Sequence, residues 1–285
     1  MCLVTFAEPI DIGASLELFR RSGDDLIDRW DGSRLVRVLR FGDRRVPFVG
    51  TAEGCALRVS PDSKEVREAV KHTFFGAPPE FVELLREDRV LGELHQKFPG
   101  VRQPRQLDLF TALVRCISAQ QVNLRWAVTT RRRLAEAFGI RHQVSGHTVY
   151  TLEPEKLANV APDEIRALQF TMSKSHAIVA VAQAMAEGYL GELPDLPDEE
   201  VTQKLTTIRG IGRWSAEWVL ARTLGRPVVV AGDLGVRKAV SLAYLGVPMA
   251  SEEEVRRATR HWGSAAGVAQ ALLLHALGEG ALTRT

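Results

Sequence analysis

Leu205 to Leu220, LTTIRGIGRWSAEWVL, constrains the fold more tightly than any other stretch of this chain. An apolar helical pattern runs into Gly210-Ile211-Gly212 and restarts at once at Arg213-Trp214. A plain helix-to-helix turn needs one glycine; here two flank a single isoleucine. Glycine takes positive φ freely and, lacking Cβ, lets a backbone approach another group closely. A helix that opens on such a turn presents unpaired amide N–H groups, which with the helix dipole suit a phosphate. The stretch is not a nucleotide-binding P-loop, because Arg213-Trp214 stands where Lys-Ser/Thr is needed. On spacing alone, a phosphate-binding turn and an ordinary tight turn fit about equally well.

The segments around this turn set the fold class. From Glu80 onward, Leu107 to Ser118, Val128 to Phe138, Pro162 to Leu168, His176 to Glu187, Asp198 to Ile208 and Trp214 to Leu224 carry apolar residues at three-and-four spacing. Leu234 to Leu245, Glu252 to Trp262 and Ala266 to Leu277 do the same, with short Gly- or Pro-containing connections. Residues 79–285 therefore read as an all-α bundle of many short helices. The first 78 residues differ. Arg34 to Phe41, Val46 to Thr51 and Cys55 to Ser60 are strand-like, with Gly42-Asp43 and Glu53-Gly54 as turns between them. Helices are expected at Ser15 to Arg21 and Ser63 to Phe74, the latter opened by Asp62 as N-cap with Glu65 three residues on. Residues 1–78 are thus a small α+β domain with an antiparallel sheet, joined through Gly76-Ala77-Pro78-Pro79.

Composition excludes several classes. The 285 residues, 45% apolar and 25% charged, are those of a globular protein with room for two domains. Net charge is only +2, but Arg102 to Arg141 holds eight arginines against Asp108 and Glu136, which reads either as a basic surface or as a solvated helix face. Cys2, Cys55 and Cys116 are too few and too scattered for a disulfide framework, a zinc site or a four-cysteine iron–sulfur cluster. Neither a membrane-length apolar run nor a secretory signal is present, so a cytoplasmic location is expected.

Four ordered motifs carry a family resemblance. Leu205 to Ala216 resembles the helix-hairpin-helix element of base-excision DNA glycosylases. Val228-Val-Val-Ala-Gly-Asp-Leu-Gly-Val236 resembles the loop that ends in that family's catalytic aspartate. Ala112 to Val122, with its Gln-Gln pair, and Ala167 to Ala177 are similar to two further family segments. The N-terminal Pro9 to Ile12 and the following sheet resemble the extra domain of the 3-methyladenine DNA glycosylase II, or AlkA-like, subfamily. The resemblance implies a mostly α fold, a helix-hairpin-helix bundle with the active-site cleft between its helical subdomains.

It also implies roles. Asp233 is the catalytic carboxylate, stabilising a sugar with oxocarbenium character; as an isolated Gly-Asp before a helix it would be only an N-cap. Trp214 and Trp218, four apart on one helix face, border an extruded base, and indole faces attract a cationic N-alkylated purine; as residues they read equally as core tryptophans. Gln121 is the wedge that fills the gap left by base flipping, with Gln120 supporting it, although a buried Gln pair at a helix end is a plainer reading. Phosphate contacts fall to the backbone of Gly210, Ile211 and Gly212, with Thr207, Arg213 and Ser215 as lesser partners. No lysine lies between Lys204 and Lys238, so Schiff-base chemistry has no amine in this element. The expectation is a monofunctional, monomeric glycosylase acting on double-stranded DNA with alkylated bases such as 3-methyladenine and 7-methylguanine. It requires no cofactor; hairpins of this kind often hold a monovalent cation on backbone carbonyls, and the sequence leaves open whether this one does.

Departures from the family pattern are Pro227 and Val229 in the loop before Asp233, Gln169 where glycine is usual, and Trp262 to Gly267 followed by Leu273-Leu274 where Pro, Arg and a pocket tryptophan are usual. They imply a more open, less aromatic pocket and a range extending to 1-methyladenine and 3-methylcytosine. The alternatives are a glycosylase for a deaminated or oxidised base and a non-catalytic helix-hairpin-helix DNA-structure binder.

Overall fold

The structure is a computed structural model that describes residues 2–282. Five strands, β1 (Cys2–Thr5), β2 (Arg29–Trp30), β3 (Arg34–Phe41), β4 (Arg44–Glu53) and β5 (Ala56–Ser60), form one antiparallel sheet in the order β1-β5-β4-β3-β2. Arg40 pairs with Arg45 across the Gly42-Asp43 turn, and Glu53 with Ala56 across the next. The edge strands β1 and β2 escape sequence reading because they are too short to show alternation. Helix α1 (Ile12–Leu16), extended by a 3₁₀ turn to Phe19, and α2 (Lys64–Lys71) cover one face. Leu16, Leu35, Phe48, Leu57 and Val70 fill the space between. The cap of α2 is Ser63, whose hydroxyl accepts the Val66 amide, and not Asp62.

The remainder is helical: α3 (Phe81–Glu87), α4 (Arg89–Lys97), α5 (Leu109–Ala119), α6 (Leu124–Phe138), α7 (Pro154–Leu157), α8 (Pro162–Ala167), α9 (Met172–Ala186), α10 (Asp198–Thr206), α11 (Arg213–Val219), α12 (Leu234–Val240), α13 (Glu252–Ala258) and α14 (Ala266–Gly278). Both α11 and α12 continue as π-helical turns, to Leu224 and Leu245. One departure from an all-α region is the hairpin β6 (Ile140–Val144) and β7 (His147–Thr151). Its strands carry little apolar alternation, and they are stabilised by packing against β3 and β4, where Val36, Val49 and Val149 are buried together. Among the described residues no helix is long and apolar enough to cross a membrane.

The helices build two cores. One collects Phe110, Leu113, Ile117, Leu134, Ile178, Leu205, Ile211, Ala216 and Leu220 from α5, α6, α9, α10 and α11. The other collects Phe81, Leu91, Val236, Val240, Trp262 and Leu272 from α3, α4, α12, α14 and the turn before α14. The chain passes between them in the loop 225–233, so α11 belongs to the first core and α12 to the second, with the seam between them.

A buried ionic network ties the first 78 residues to the helices. Asp25 pairs with Arg115 and Arg131 at 3.0 Å each, and Asp28 pairs with Arg115 at 2.8 Å and with the fully buried Arg37. Glu153 receives Arg40 and Arg45 from the sheet at 2.8 and 2.6 Å. Arg102, buried as well, pairs with Glu8. Several of the eight arginines between positions 102 and 141 are therefore structural cations and not a basic surface.

Candidate DNA-binding and catalytic site

The Gly-Ile-Gly turn divides its two glycines between different tasks. Gly210 has φ 85°, and a Cβ there would lie 2.4 Å from the Ala177 Cβ on α9. Its close approach is to another helix of the same chain. Gly212 has extended backbone (φ −103°, ψ 179°), and a Cβ there would meet nothing within 4 Å. Neither backbone conformation nor packing requires glycine at 212, and α11 begins there without a side-chain cap. Ile211 is buried in the core, with its amide donated to the Ile208 carbonyl at 3.0 Å. That amide is committed, which corrects its place among the free donors of the turn.

The other hairpin residues separate in the same way. Ser215 is buried, with its hydroxyl facing inward and unpaired, so it does not reach the surface as a phosphate partner. The Thr207 hydroxyl is exposed and donates to the Lys204 carbonyl at 2.8 Å, with the Tyr189 hydroxyl 3.3 Å away. Arg213 is exposed, its Nε 2.9 Å from buried Glu217, which also receives Arg256 at 2.7 Å. Gln120 donates its side-chain amide to the Gly210 carbonyl at 2.9 Å, braced against the hairpin. Gln121 is exposed and holds φ 53°, a left-handed conformation uncommon outside glycine. The Gln pair thus has one anchored member and one projecting member, both beside the hairpin.

Across the seam, Asp233 caps α12, one carboxylate oxygen (Oδ1) accepting the Val236 amide at 3.0 Å. Its Oδ2 accepts no hydrogen bond among the described residues and remains available to a substrate. Gly235 lies directly beneath, where a Cβ would be 3.0 Å from Oδ1 and 3.2 Å from Leu274 Cδ2. At Gly232 a Cβ would be 3.5 Å from Trp214 Cδ1 and 3.3 Å from Glu252 Oε1. Trp214, half-buried, therefore borders the loop that ends in Asp233 from the hairpin side, and Leu274 borders it from α14.

Trp218 has a different environment. The Arg222 guanidinium stands over its ring, 5.2 Å from the centroid, held by the Gln103 side-chain oxygen at 3.1 Å. Burial weakens the hold of Arg222 on its proton, and the negative charge of Asp233 offsets part of that. One indole face of Trp218 is thus already covered by a resident cation, and of the two tryptophans Trp214 is the better placed for a base. Cys116 is buried nearby, and burial pushes its thiol far above the usual range, so it stays neutral and is no nucleophile.

Arg222, Leu274 and Glu252 are the site neighbours that sequence reading did not assign. Arg222 continues the Trp214–Trp218 stripe at the same four-residue spacing, a signal present in the sequence. Leu274 was visible only as half of a Leu-Leu pair; Leu273 points into the core. Glu252, nineteen residues beyond Asp233, has no local signal.

The hairpin thus offers an uncapped helix start at α11, and the loop that follows it ends in a capping carboxylate with one free oxygen. Residues 114–264 match the HhH-GPD superfamily of base excision DNA repair proteins, and the chain belongs to that superfamily. It is 28% identical over 248 residues to the DNA-3-methyladenine glycosylase of Bacillus subtilis, covering 81% of this chain and 82% of that protein. Among solved structures it superimposes on the 3-methyladenine DNA-glycosylase of Archaeoglobus fulgidus with a TM-score of 0.86 at 25% identity, over 96% and 98% of the two chains. It shares its fold, at 18% identity, TM-score 0.76 and 96% and 93% coverage, with the Clostridium acetobutylicum 8-oxoguanine glycosylase/lyase in complex with double-stranded DNA.

The two glycines make a test of the hairpin. Gly212→Ala is expected to lower stability by at most about 1 kcal/mol, the difference between the two as N-caps. It should weaken binding to damaged and undamaged duplex alike, since phosphate contacts carry no sequence information. Gly210→Ala is expected to destabilise the fold itself. Thermal melts beside anisotropy titrations separate the two, and a Gly212→Ala chain with wild-type DNA affinity would remove the hairpin backbone from the interface.

Proposed function

We propose that this DNA glycosylase excises alkylated bases, those carrying positive charge above all, such as 3-methyladenine and 7-methylguanine, and leaves an abasic site without cutting the strand. The observation that carries the reading is the free oxygen of Asp233 at the end of a loop bordered by Trp214 of the hairpin helix, with Gln120 bonded to the same hairpin. The family and the 3-methyladenine glycosylase relatives support it. The target nucleotide is flipped out of the stack, and Gln121, braced through Gln120, fills the space. The extruded base rests against Trp214, whose face attracts a cation by about 0.5–2 kcal/mol. As the N-glycosidic bond breaks, its electron pair leaves with the base and positive charge builds on the sugar. Asp233 stabilises that charge and orients the water that adds to the sugar carbon and gives up its proton to solvent.

A cationic base is already a good leaving group, so no strong general acid is needed. Trp214 stands where strand-cutting relatives by resemblance carry lysine, and the segment 205–237 offers no amine. Leu274 in place of an aromatic wall leaves the pocket open enough for 1-methyladenine and 3-methylcytosine. The Ile208 and Gly210 carbonyls each keep a lone pair beyond the bond they accept, which suits a monovalent cation on the hairpin; no step above requires one. The chain acts as a monomer.

The test is incubation of alkylated duplex DNA with the protein, with released bases identified by chromatography and strand breaks measured before and after alkali. Free methylated bases with breaks only after alkali are expected. Breaks before alkali, or no release, would overturn the reading.

A further inference from the structure

The surface next to Gln121 contains more than the proposed wedge. Asn123 caps α6 through the Trp126 amide at 2.9 Å, fixing the first turn directly after the Gln pair. Leu124 and Trp126 on that turn are exposed by 61% and 39%, although both are large apolar residues. Seven residues on, and so on the same helix face, the Arg133 guanidinium lies 5.5 Å from the Trp126 ring centroid. Arg133 also bonds the side chain of Gln169, which holds φ 74° in the loop between α8 and α9. Gln121, five residues before Trp126, and Gln169, bonded to the arginine over its ring, both hold a left-handed backbone uncommon outside glycine. Such conformations persist where surrounding structure holds them, and they cluster at ligand clamps. Arg125 is exposed on the same turn, and neither it nor Arg133 has a carboxylate partner among the described residues.

Exposed apolar side chains with unpaired guanidinia beside them suit a nucleic-acid strand whose bases are accessible. The Proposed function creates one such base. When the damaged nucleotide leaves the stack, the base opposite loses its partner on the side where Gln121 enters.

We propose that Trp126, steadied by Arg133 and Gln169 and flanked by Leu124, is the stacking platform for that unpaired base on the undamaged strand. The inference rests on the DNA glycosylase reading above. Arg133 orients the indole from one face and leaves the exposed part of the ring to the base, while Arg125 meets the adjacent phosphates. The platform holds the strand that carries no damaged base, so it assists flipping without touching the reacting sugar.

The experiment uses the full chain and duplexes holding a stable abasic analogue opposite the fluorescent base 2-aminopurine, beside undamaged duplex. Wild type is expected to prefer the abasic duplex and to quench 2-aminopurine by stacking. Trp126→Ala should leave the probe bright and bind the abasic duplex about tenfold more weakly, the range of one lost base–aromatic stack, while its melting temperature stays close to wild type. Trp126→Phe should restore most of the quench. Preferential binding by wild type without quenching, or an unchanged quench in Trp126→Ala, would overturn the platform and leave the glycosylase reading in place. No preference for the abasic duplex together with no base release would overturn both.

Discussion

Asp233→Asn is expected to keep the fold and the DNA affinity of the wild-type chain and to lose roughly 10²–10³-fold or more in base release, the scale of removing one preorganised electrostatic group from a transition state. Asparagine is the right replacement because it separates two roles held by one side chain. As an N-cap it equals aspartate, so the bond to the Val236 amide survives and α12 starts where it did. The negative charge beside the developing sugar cation does not survive. Single-turnover release of methylated base, measured with melting temperature and binding to the abasic analogue, checks this. Lost release with binding and stability intact identifies the catalytic charge. Unchanged release would reduce Asp233 to a cap and move the chemistry elsewhere.

The second large effect lies in the buried ionic network. Asp25→Ala removes the carboxylate that pairs with both Arg115 and Arg131, and leaves buried guanidinium charge under-compensated. Breaking a buried pair from one side costs about 3–5 kcal/mol, which in a chain of this length lowers the melting temperature by roughly 10 °C. Glu65→Ala, which opens the exposed pair with Arg44, should leave the transition in place. The same site sets an acid response. Burial alone would raise the Asp25 carboxyl, but Arg115 and Arg131 outweigh it and hold it below the usual carboxylate range. A group depressed in the folded state contributes stability above its unfolded pKa, near 4, and loses it as pH falls through the folded value. Wild type should therefore lose stability below about pH 4, and the difference between wild type and Asp25→Ala should narrow there. Urea denaturation across that range measures both.

This network also gives the N-terminal sheet a role in the fold. Asp25 and Asp28 precede β2, while Arg115 and Arg131 lie on α5 and α6, so the sheet braces the two helices that precede and follow the Gln pair. Those arginines look in sequence like part of a cationic surface. Their burial depends on carboxylates some ninety residues earlier, and no local window contains both partners.

Much of the architecture was legible because periodicity and turn chemistry are local. Strand β3 matched its expected range, and α8, α12 and α14 began where their patterns did. The β6–β7 hairpin was not legible, since its polar strands take their stability from the sheet they pack on. The order of hairpin, loop and aspartate, the absence of a lysine beside the hairpin and the four-residue spacing of Trp214, Trp218 and Arg222 were all present in the chain as written. Packing distributed the roles within those motifs. Gly210 serves Ala177 while Gly212 stands open, Ser215 turns inward while Gln121 projects, and Trp218 is covered by Arg222 while Trp214 borders Asp233. Spacing along a helix tells which residues share a face; whether that face meets a neighbouring helix, a resident charge or solvent depends on residues distant in the chain.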